Sequence, residues 1–152
     1  MYVDVVKNLI ERNLSISIAE SITGGMVAKM ITDVPGSSKI LSESYVVYSN
    51  ESKIKTLLVS ASLIEQYGVV SREVAKDMAV KLKMLTGCDI CISTTGNAGP
   101  TVCDDKPVGR VYVAINYLDD VNVYELNLSG DRNDIRNETA KIIFDKIDEI
   151  VK

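Results

Sequence analysis

The sequence contains no histidine. This absence excludes serine–histidine–aspartate triads, imidazole general bases and histidine-ligated zinc. Tryptophan is also absent and phenylalanine occurs once, so Ile, Val, Leu and the seven tyrosines must build the core. Any catalysis must therefore depend on Ser, Thr, Lys, Tyr, Asp, Glu or Cys side chains.

The chain also has no excess of positive charge. The formal net charge is -4, which argues against a general nucleic-acid or membrane-surface partner, because phosphate-rich surfaces attract basic proteins. A small phosphorylated ligand remains compatible with this charge. No apolar run approaches the roughly 18 residues of a membrane span, and the first residues do not follow the pattern of a signal peptide. We expect a single cytoplasmic domain over residues 1–152.

The sequence has three cysteines, Cys88, Cys91 and Cys103. An odd number without a secretion signal favours reduced thiols. Cys88 and Cys91 have the spacing of a redox motif, but they fall in an apolar run typical of a buried strand, where positions i and i+3 point to opposite faces. We interpret them as core residues. The adjacent carboxylates Asp104 and Asp105 are typical of a solvated loop, and no metal site is expected.

The pattern of apolar residues predicts alternating helices and strands, followed by a hairpin. The predicted helices cover 2–12, 24–31, 51–57, 60–67, a segment from its cap at Ser71 to Gly87, and the region after Gly130-Asp131. The predicted strands cover 15–19, 40–48, 89–95, 108–117 and 121–128, the last two joined around Asp119-Asp120. This order predicts an α/β fold, with a mixed sheet covered by helices on both faces.

Two predicted strands end in hydroxyl side chains followed by glycines. The first leads through Ser21 and Thr23 to Gly24-Gly25, and the second leads to Thr95 and residues 96–100. Ligands of open α/β sheets bind at the carboxyl ends of strands. A helix beginning near Gly24 would add its positive end, which suits an oxyanion or a phosphate. The alternative is that Ser21 and Thr23 only cap the next helix.

A third candidate segment, Tyr48 to Lys53, offers a phenol, an amide and an ammonium group close together. A serine nucleophile without histidine needs another base, and a desolvated lysine can supply it. Burial or a nearby positive charge would have to lower the pKa of that lysine. Lys53 or Lys55 could serve, with Tyr48 as an orienting or relaying group. The alternative is a solvated helix start, in which Lys53 is an ordinary surface residue.

Seven motifs occur in an order that resembles the CinA C-terminal domain family, whose enzymatic members are nicotinamide-nucleotide amidohydrolases. The resemblance covers nearly the whole chain, from about residue 14 to the last helix. The motifs are Ala19-Glu20-Ser21-Ile22-Thr23-Gly24-Gly25, Val34-Pro35-Gly36-Ser37-Ser38, Tyr48-Ser49-Asn50-Glu51-Ser52-Lys53, residues 68–71, Thr95-Gly96-Asn97-Ala98-Gly99-Pro100, Lys106-Pro107-Val108-Gly109 and Gly130-Asp131-Arg132.

The resemblance implies a three-layer α/β/α sandwich, a homo-oligomer, and hydrolysis of nicotinamide mononucleotide to nicotinate mononucleotide and ammonia without metal or cofactor. It implies that Ser21 is the nucleophile and that Tyr48 and Lys53 activate it. Thr23 and its neighbours would line the turn beside Ser21, with Thr95 and Gly96 across the cleft. The substrate-binding positions expected on this basis are Glu20, Thr23, Gly24, Gly25, Ser37, Ser38, Asn50, Thr95, Gly96, Ala98, Gly99, Lys106 and Arg132, with the phosphate assigned to backbone N–H groups, to Ser37 or Ser38, or to Lys106 and Arg132.

The chain departs from the family pattern at two places that matter for function. Asn97 replaces an isoleucine, and residues 101–105 replace a glycine-rich stretch, in a loop expected to border the substrate. Ile22 also replaces a cysteine, at a position expected to serve packing. These departures leave two alternatives open: a nucleotide-binding or partner-binding domain without catalysis, and an amidohydrolase of another small amide.

Overall fold

The computed structural model describes all residues from Met1 to Lys152. Its helices are α1 (Tyr2–Glu11), α2 (Met26–Thr32), α3 (Asn50–Lys55), α4 (Ala61–Tyr67), α5 (Arg72–Thr86) and α6 (Arg132–Ile150), with a short 3-10 helix at Ser37–Lys39. Its strands are β1 (Ile16–Glu20), β2 (Tyr45–Val46), β3 (Ile90–Gly96), β4 (Arg110–Tyr117) and β5 (Asp120–Asn127).

The five strands form one mixed sheet in the order β2-β1-β3-β4-β5. Strands β2, β1 and β3 are parallel, whereas β4 is antiparallel to both of its neighbours, β3 and β5. Alternate side chains serve the two faces: Val113 packs with residues of α1, α2 and α6, and Ala114 packs with residues of α5. These layers confirm the predicted α/β/α sandwich. No helix is long and apolar enough to cross a membrane.

The longer helices begin where the sequence offers a cap. Ser71 Oγ accepts a hydrogen bond from the Val74 N–H at the start of α5, and Gly87 ends this helix in the left-handed conformation. Asp131 and Asp134 form a reciprocal capping box at the start of α6. Such caps satisfy N–H groups that have no partner inside the helix. The predicted beginnings of α5 and α6 are therefore confirmed.

The second strand is much shorter than predicted. Only Tyr45–Val46 pairs with β1, and Leu41 makes one isolated bridge to Ile16. Between them, the Ser44 hydroxyl donates to the Ile18 carbonyl and replaces a strand hydrogen bond. The predicted strand over 40–48 was thus wrong in length, because a serine side chain competes with backbone pairing there.

Two other boundaries differ from the prediction. The second helix begins at Met26 and not at Gly24, because Gly24 and Gly25 have φ values of 58° and 103°, outside the range of a right-handed helix. The hairpin turns at Leu118 and Asp119, which both have positive φ, and Asp120 already pairs with Tyr117. The predicted turn around Asp119-Asp120 was therefore off by one residue.

The buried cysteines occupy one core cluster. Cys88 and Cys91 are buried and reduced, and both pack with residues of α5. The predicted core role is confirmed, but the expected divergence to opposite faces was wrong, because β3 begins at Ile90, after Cys88. Cys103 is free and exposed.

Candidate active site

A cleft of about 210 Å³ opens at the carboxyl ends of β1 and β3. Nine of the predicted site residues line it: Ser21, Tyr48, Asn50, Lys53, Thr95, Gly96, Ala98, Gly99 and Arg132. Ile22, Ser49, Val69, Val70, Asn97, Thr101 and Cys103 complete its wall. The structure thus brings together the Ser21 turn, the segment Tyr48 to Lys53 and the loop after β3. This is the edge of the sheet at which open α/β folds bind their ligands.

Ser21 and Lys53 meet inside this cleft. Lys53 Nζ lies 3.0 Å from Ser21 Oγ, 2.8 Å from the Val47 carbonyl oxygen and 3.2 Å from the Tyr48 carbonyl oxygen. Lys53 is only 1% exposed, and it forms no ion pair with a carboxylate. The interpretation of Lys53 as an ordinary surface residue is therefore excluded.

Burial changes the acidity of this lysine. Desolvation lowers the pKa of Lys53 from 10.5 to about 8, and the nearby Cys103 opposes the shift by a smaller amount. At pH 7 roughly one molecule in ten would then hold the neutral amine, compared with fewer than one in a thousand for a solvated lysine. A neutral amine 3.0 Å from a hydroxyl can accept its proton.

The activity should therefore rise with pH. If neutral Lys53 is the base, kcat/KM at pH 7 should be about tenfold below a plateau reached above the Lys53 pKa of about 8. The profile can be measured between pH 7 and pH 9.5, and Lys55→Met is the control, because Lys55 is exposed and lies outside the cleft. A rate that is flat over this range would contradict the assignment of Lys53 as the base.

The position of Lys53 follows from the start of α3. Ser49 Oγ accepts from the Ser52 N–H, and the Ser52 hydroxyl accepts from the Ser49 N–H, which closes a capping box. This start directs Lys53 inward, whereas Lys55 is exposed and does not line the cleft. Of the two lysines left open by the sequence, only Lys53 contacts Ser21.

Tyr48 borders the cleft in a different way than predicted. Its side chain is 60% exposed, and its phenol oxygen accepts a hydrogen bond of 2.8 Å from Arg132 Nη2. Its carbonyl oxygen, and not its phenol, contacts Lys53. Arg132 Nη1 also donates to the Gly99 carbonyl oxygen at 2.6 Å. Arg132 thus joins two walls of the cleft, and a phenol relay between Tyr48 and Lys53 has no support in these contacts.

Glu20 has a structural role instead of the expected binding role. Its carboxylate is fully buried and accepts hydrogen bonds from the N–H groups of Val27 and Ala28, both at 3.0 Å. These donors belong to the first turn of α2, so the positive end of this helix is occupied by Glu20. The prediction that this helix end receives the substrate was therefore wrong.

Replacing Glu20 should destabilise the fold. In Glu20→Ala, two buried N–H groups lose their acceptor, and we expect the free energy of unfolding to fall by about 2–3 kcal/mol. Glu20→Gln keeps one acceptor and should cost less. Glu51→Ala is the matched control, because Glu51 is exposed in the first turn of α3. Denaturant unfolding measures all three, and a Glu20→Ala variant as stable as the control would contradict the capping role.

The other predicted residues of the first turn surround the cleft without lining it. Thr23 is fully buried, and its Oγ1 lies 3.0 Å from Thr94 Oγ1. Gly24 and Gly25 form the left-handed turn that leads into α2. The Ser21 N–H donates to Thr94 Oγ1 at 3.1 Å. Thr23 and Thr94 therefore hold the turn that presents Ser21.

The expected phosphate ligands Ser37, Ser38 and Lys106 do not reach the cleft. Ser37 and Ser38 begin the 3-10 helix that precedes Leu41, and Leu41 bridges Ile16 at the amino end of β1, opposite to Ser21. The chain returns along β1 before it forms β2, which the sequence pattern does not reveal. Lys106 Nζ donates to the Val70 carbonyl oxygen at 3.0 Å. These three assignments were wrong, and Arg132 is the predicted phosphate ligand that remains in the cleft.

Two supporting residues were missed in the sequence. Thr94 orients the Ser21 backbone from β3, and the alternation along that strand could have indicated it. Arg136 on α6 donates through Nε to the Ile22 carbonyl oxygen at 3.1 Å, and its Nη2 would lie 3.1 Å from a Cβ at Gly24. Arg136 Nη2 also donates to the Thr23 carbonyl oxygen at 3.4 Å. No local sequence pattern indicates this contact, since 113 residues separate Arg136 from Thr23.

These features define a class: a mixed α/β sandwich with a buried serine–lysine pair at the carboxyl end of a central strand. The chain belongs to the CinA C-terminal domain family, whose sequence model matches residues 1–151. A CinA-like protein from Fusobacterium nucleatum is 53% identical over 130 residues, which are 85% of this chain and 31% of that protein. The chain spans about a third of the length of the curated relatives it matches.

Solved structures agree with the fold. A CinA superfamily protein from Klebsiella pneumoniae has a TM-score of 0.94 at 26% identity, covering 97% of this chain and 93% of that one. The competence/damage inducible protein CihA from Agrobacterium tumefaciens has a TM-score of 0.92 at 28% identity, covering 99% of this chain and 96% of that one. Residues 1–151 thus have the arrangement found in these proteins.

Proposed function

We propose that this domain hydrolyses the carboxamide of nicotinamide mononucleotide to nicotinate mononucleotide and ammonia, with Ser21 as the nucleophile and Lys53 as the base. The observation that carries the proposal is the distance of 3.0 Å between Lys53 Nζ and Ser21 Oγ in a cleft where burial lowers the pKa of the lysine to about 8. Nucleophile and base within hydrogen-bond reach are the signature of covalent acyl transfer.

The reaction proceeds in two halves. Neutral Lys53 takes the Ser21 proton as Oγ attacks the amide carbon, and the resulting ammonium returns a proton to the leaving nitrogen. Ammonia departs, and the acyl group remains on Ser21 as an ester. Water then attacks this ester with Lys53 again as the base, which releases the carboxylate product and restores the serine.

The developing oxyanion needs hydrogen-bond donors beside Ser21. The N–H groups of Ile22 and Thr23 donate to no protein acceptor, whereas the Gly24 N–H donates to the Ser21 carbonyl oxygen. Ile22 also lines the cleft. We assign the oxyanion to the free N–H of Ile22, because Ile22 lines the cleft and Thr23 does not, and such a donor is typically worth ~3 kcal/mol.

The charge of the cleft supports an anionic substrate. Lys53 and Arg132 are its cations, and none of its lining residues is an Asp or a Glu, although the chain as a whole has a net charge of -4. Arg132 is fixed by Tyr48 and Gly99 at the rim. A guanidinium in a fixed orientation suits a phosphate group, so we place the nucleotide phosphate at Arg132.

The test is the release of ammonia and nicotinate mononucleotide in equal amounts from nicotinamide mononucleotide, with free nicotinamide as the comparison substrate and a chelator as the metal control. Equal release that the chelator does not change would support the proposal, and the absence of release would contradict it.

The altered Asn97 and the loop 101–105 favour a second candidate, a binding domain, which predicts a higher melting temperature with the nucleotide but no turnover. Homo-oligomeric assembly and a cytoplasmic location stay predictions.

A further inference from the structure

The loop after Gly99 forms one wall of the cleft, opposite the Ser21 turn. Thr101 and Cys103 contribute to the lining, and Cys103 is close enough to Lys53 to influence the pKa of its amine. This is the loop in which the sequence departs from the family pattern. Thr101 and Cys103 therefore stand where they would contact a substrate bound to Ser21.

All hydrogen bonds of the Asn97 side-chain amide are made to this loop. Its Nδ2 donates to the carbonyl oxygens of Cys103 and Lys106 at 3.2 and 3.0 Å, and its Oδ1 accepts from the Cys103 N–H at 3.0 Å. Asn97 is 3% exposed and follows β3 directly. An isoleucine here could make none of these bonds, so this loop conformation depends on the asparagine.

A second anchor fixes the far side of the loop. The Asp104 carboxylate accepts from the Val70 N–H at 3.1 Å, and Lys106 Nζ donates to the Val70 carbonyl oxygen at 3.0 Å. Val70 itself lines the cleft. Gly68 permits the close approach, since a Cβ there would lie 2.8 Å from the Asp104 Cγ. The loop is thus attached both to the end of β3 and to the segment before α5.

We propose that Asn97 is a positioning residue that sets the affinity for the substrate, by holding Thr101 and Cys103 in the cleft wall that faces Ser21 and Lys53. This inference rests on the proposed function. The contacts that place the catalytic pair come from Thr94, Val47 and Tyr48, and none comes from the loop. Release of the loop should therefore weaken binding of the substrate while the chemical step continues.

The experiment compares wild type, Asn97→Ile, Asp104→Gly and Asp105→Gly in ammonia release from nicotinamide mononucleotide at pH 9. At this pH Lys53, with a pKa of about 8, is mostly neutral, so a change in its solvation has little effect on kcat. Asp104 and Asp105 both have positive φ, near 58°. Glycine suits both positions, and only Asp104 is an anchor, so Asp105→Gly is the matched control.

We expect KM to rise about tenfold or more in Asn97→Ile and Asp104→Gly, with kcat within about twofold of wild type and no change in Asp105→Gly. Asp104→Gly decides the matter if Asn97→Ile fails to fold. An unchanged KM in the anchor variants, or a loss of kcat alone, would overturn the inference.

A second readout does not depend on the reaction. Cys103 is the exposed cysteine, and Cys88 and Cys91 are buried references, so the rate of its alkylation by iodoacetamide reports on the loop. We expect this rate to rise several-fold in both anchor variants and to stay unchanged in the control. If wild type releases no ammonia, the proposed function fails, but alkylation still tests the loop anchors. Equal alkylation rates in wild type, the anchor variants and the control would then overturn the inference. A faster rate in the anchor variants alone would support it.

Discussion

Replacement of Ser21 by alanine is expected to lower kcat for hydrolysis of nicotinamide mononucleotide by a factor of ~10⁴ or more, because loss of a nucleophile removes the covalent route entirely. The affinity for the nucleotide should change little, since Arg132 and the loop wall remain in place. The fold should also persist, because the turn is held by Thr94, Glu20 and Arg136 through backbone contacts.

Ser17→Ala is the matched control for this variant. Ser17 is a buried serine on the same strand, but its hydroxyl bonds to Thr86 on the α5 side of the sheet and lies outside the cleft. Its kcat should stay close to the wild-type value. The measurements are steady-state ammonia release and nucleotide binding by calorimetry. A Ser21→Ala variant that retains a tenth of wild-type turnover would rule out Ser21 as the nucleophile.

The second large effect concerns Lys53→Met, which should strongly lower the activity and stabilise the fold at the same time. Loss of the general base should lower kcat by ~10²–10⁴. The burial that lowers the Lys53 pKa to about 8 also makes the charged form costly in the folded state. Since methionine fills a similar volume without a charge, we expect the free energy of unfolding at pH 7 to rise by about 2 kcal/mol, after allowing for the lost hydrogen bonds.

The stability difference between wild type and Lys53→Met should depend on pH in a defined direction. The folded pKa of Lys53 lies below the unfolded value, so the unfolded chain binds more protons between pH 8 and pH 10.5, and the stability of wild type relative to Lys53→Met should rise over that interval. Denaturant unfolding at pH 7 and at pH 10 tests this, with Lys55→Met as the exposed control. A stability difference that does not change with pH would contradict the buried-lysine account.

The parts of the site that the sequence predicts are those encoded by short segments. Ser21 follows one recognisable strand and Thr95 lies near the end of another, and parallel strands bring their carboxyl ends to one edge. Lys53 could be named as a candidate base, because a chain without histidine has few other bases. Its distinction from Lys55 required the structure, since a single capping box at Ser49 decides which lysine points inward.

The errors arise where a side chain binds a segment outside its own strand or turn. Glu20 looks like a ligand beside Ser21, but its carboxylate caps α2 seven and eight residues later. Ser37 and Ser38 look like phosphate ligands, but the chain returns along β1 and leaves them at the opposite end of that strand. Lys106 and Asn97 bind backbone groups of neighbouring segments. None of these contacts can be recognised from the local sequence pattern alone.

The central claim is an acyl-enzyme on Ser21, and trapping with hydroxylamine tests it most directly. Hydroxylamine competes with water for the ester, so the account predicts that the hydroxamate of nicotinate mononucleotide accumulates with increasing hydroxylamine while ammonia release does not slow. The hydroxamate should be absent with Ser21→Ala. If wild type forms only nicotinate mononucleotide at every hydroxylamine concentration, water attacks the amide directly and the covalent account is wrong.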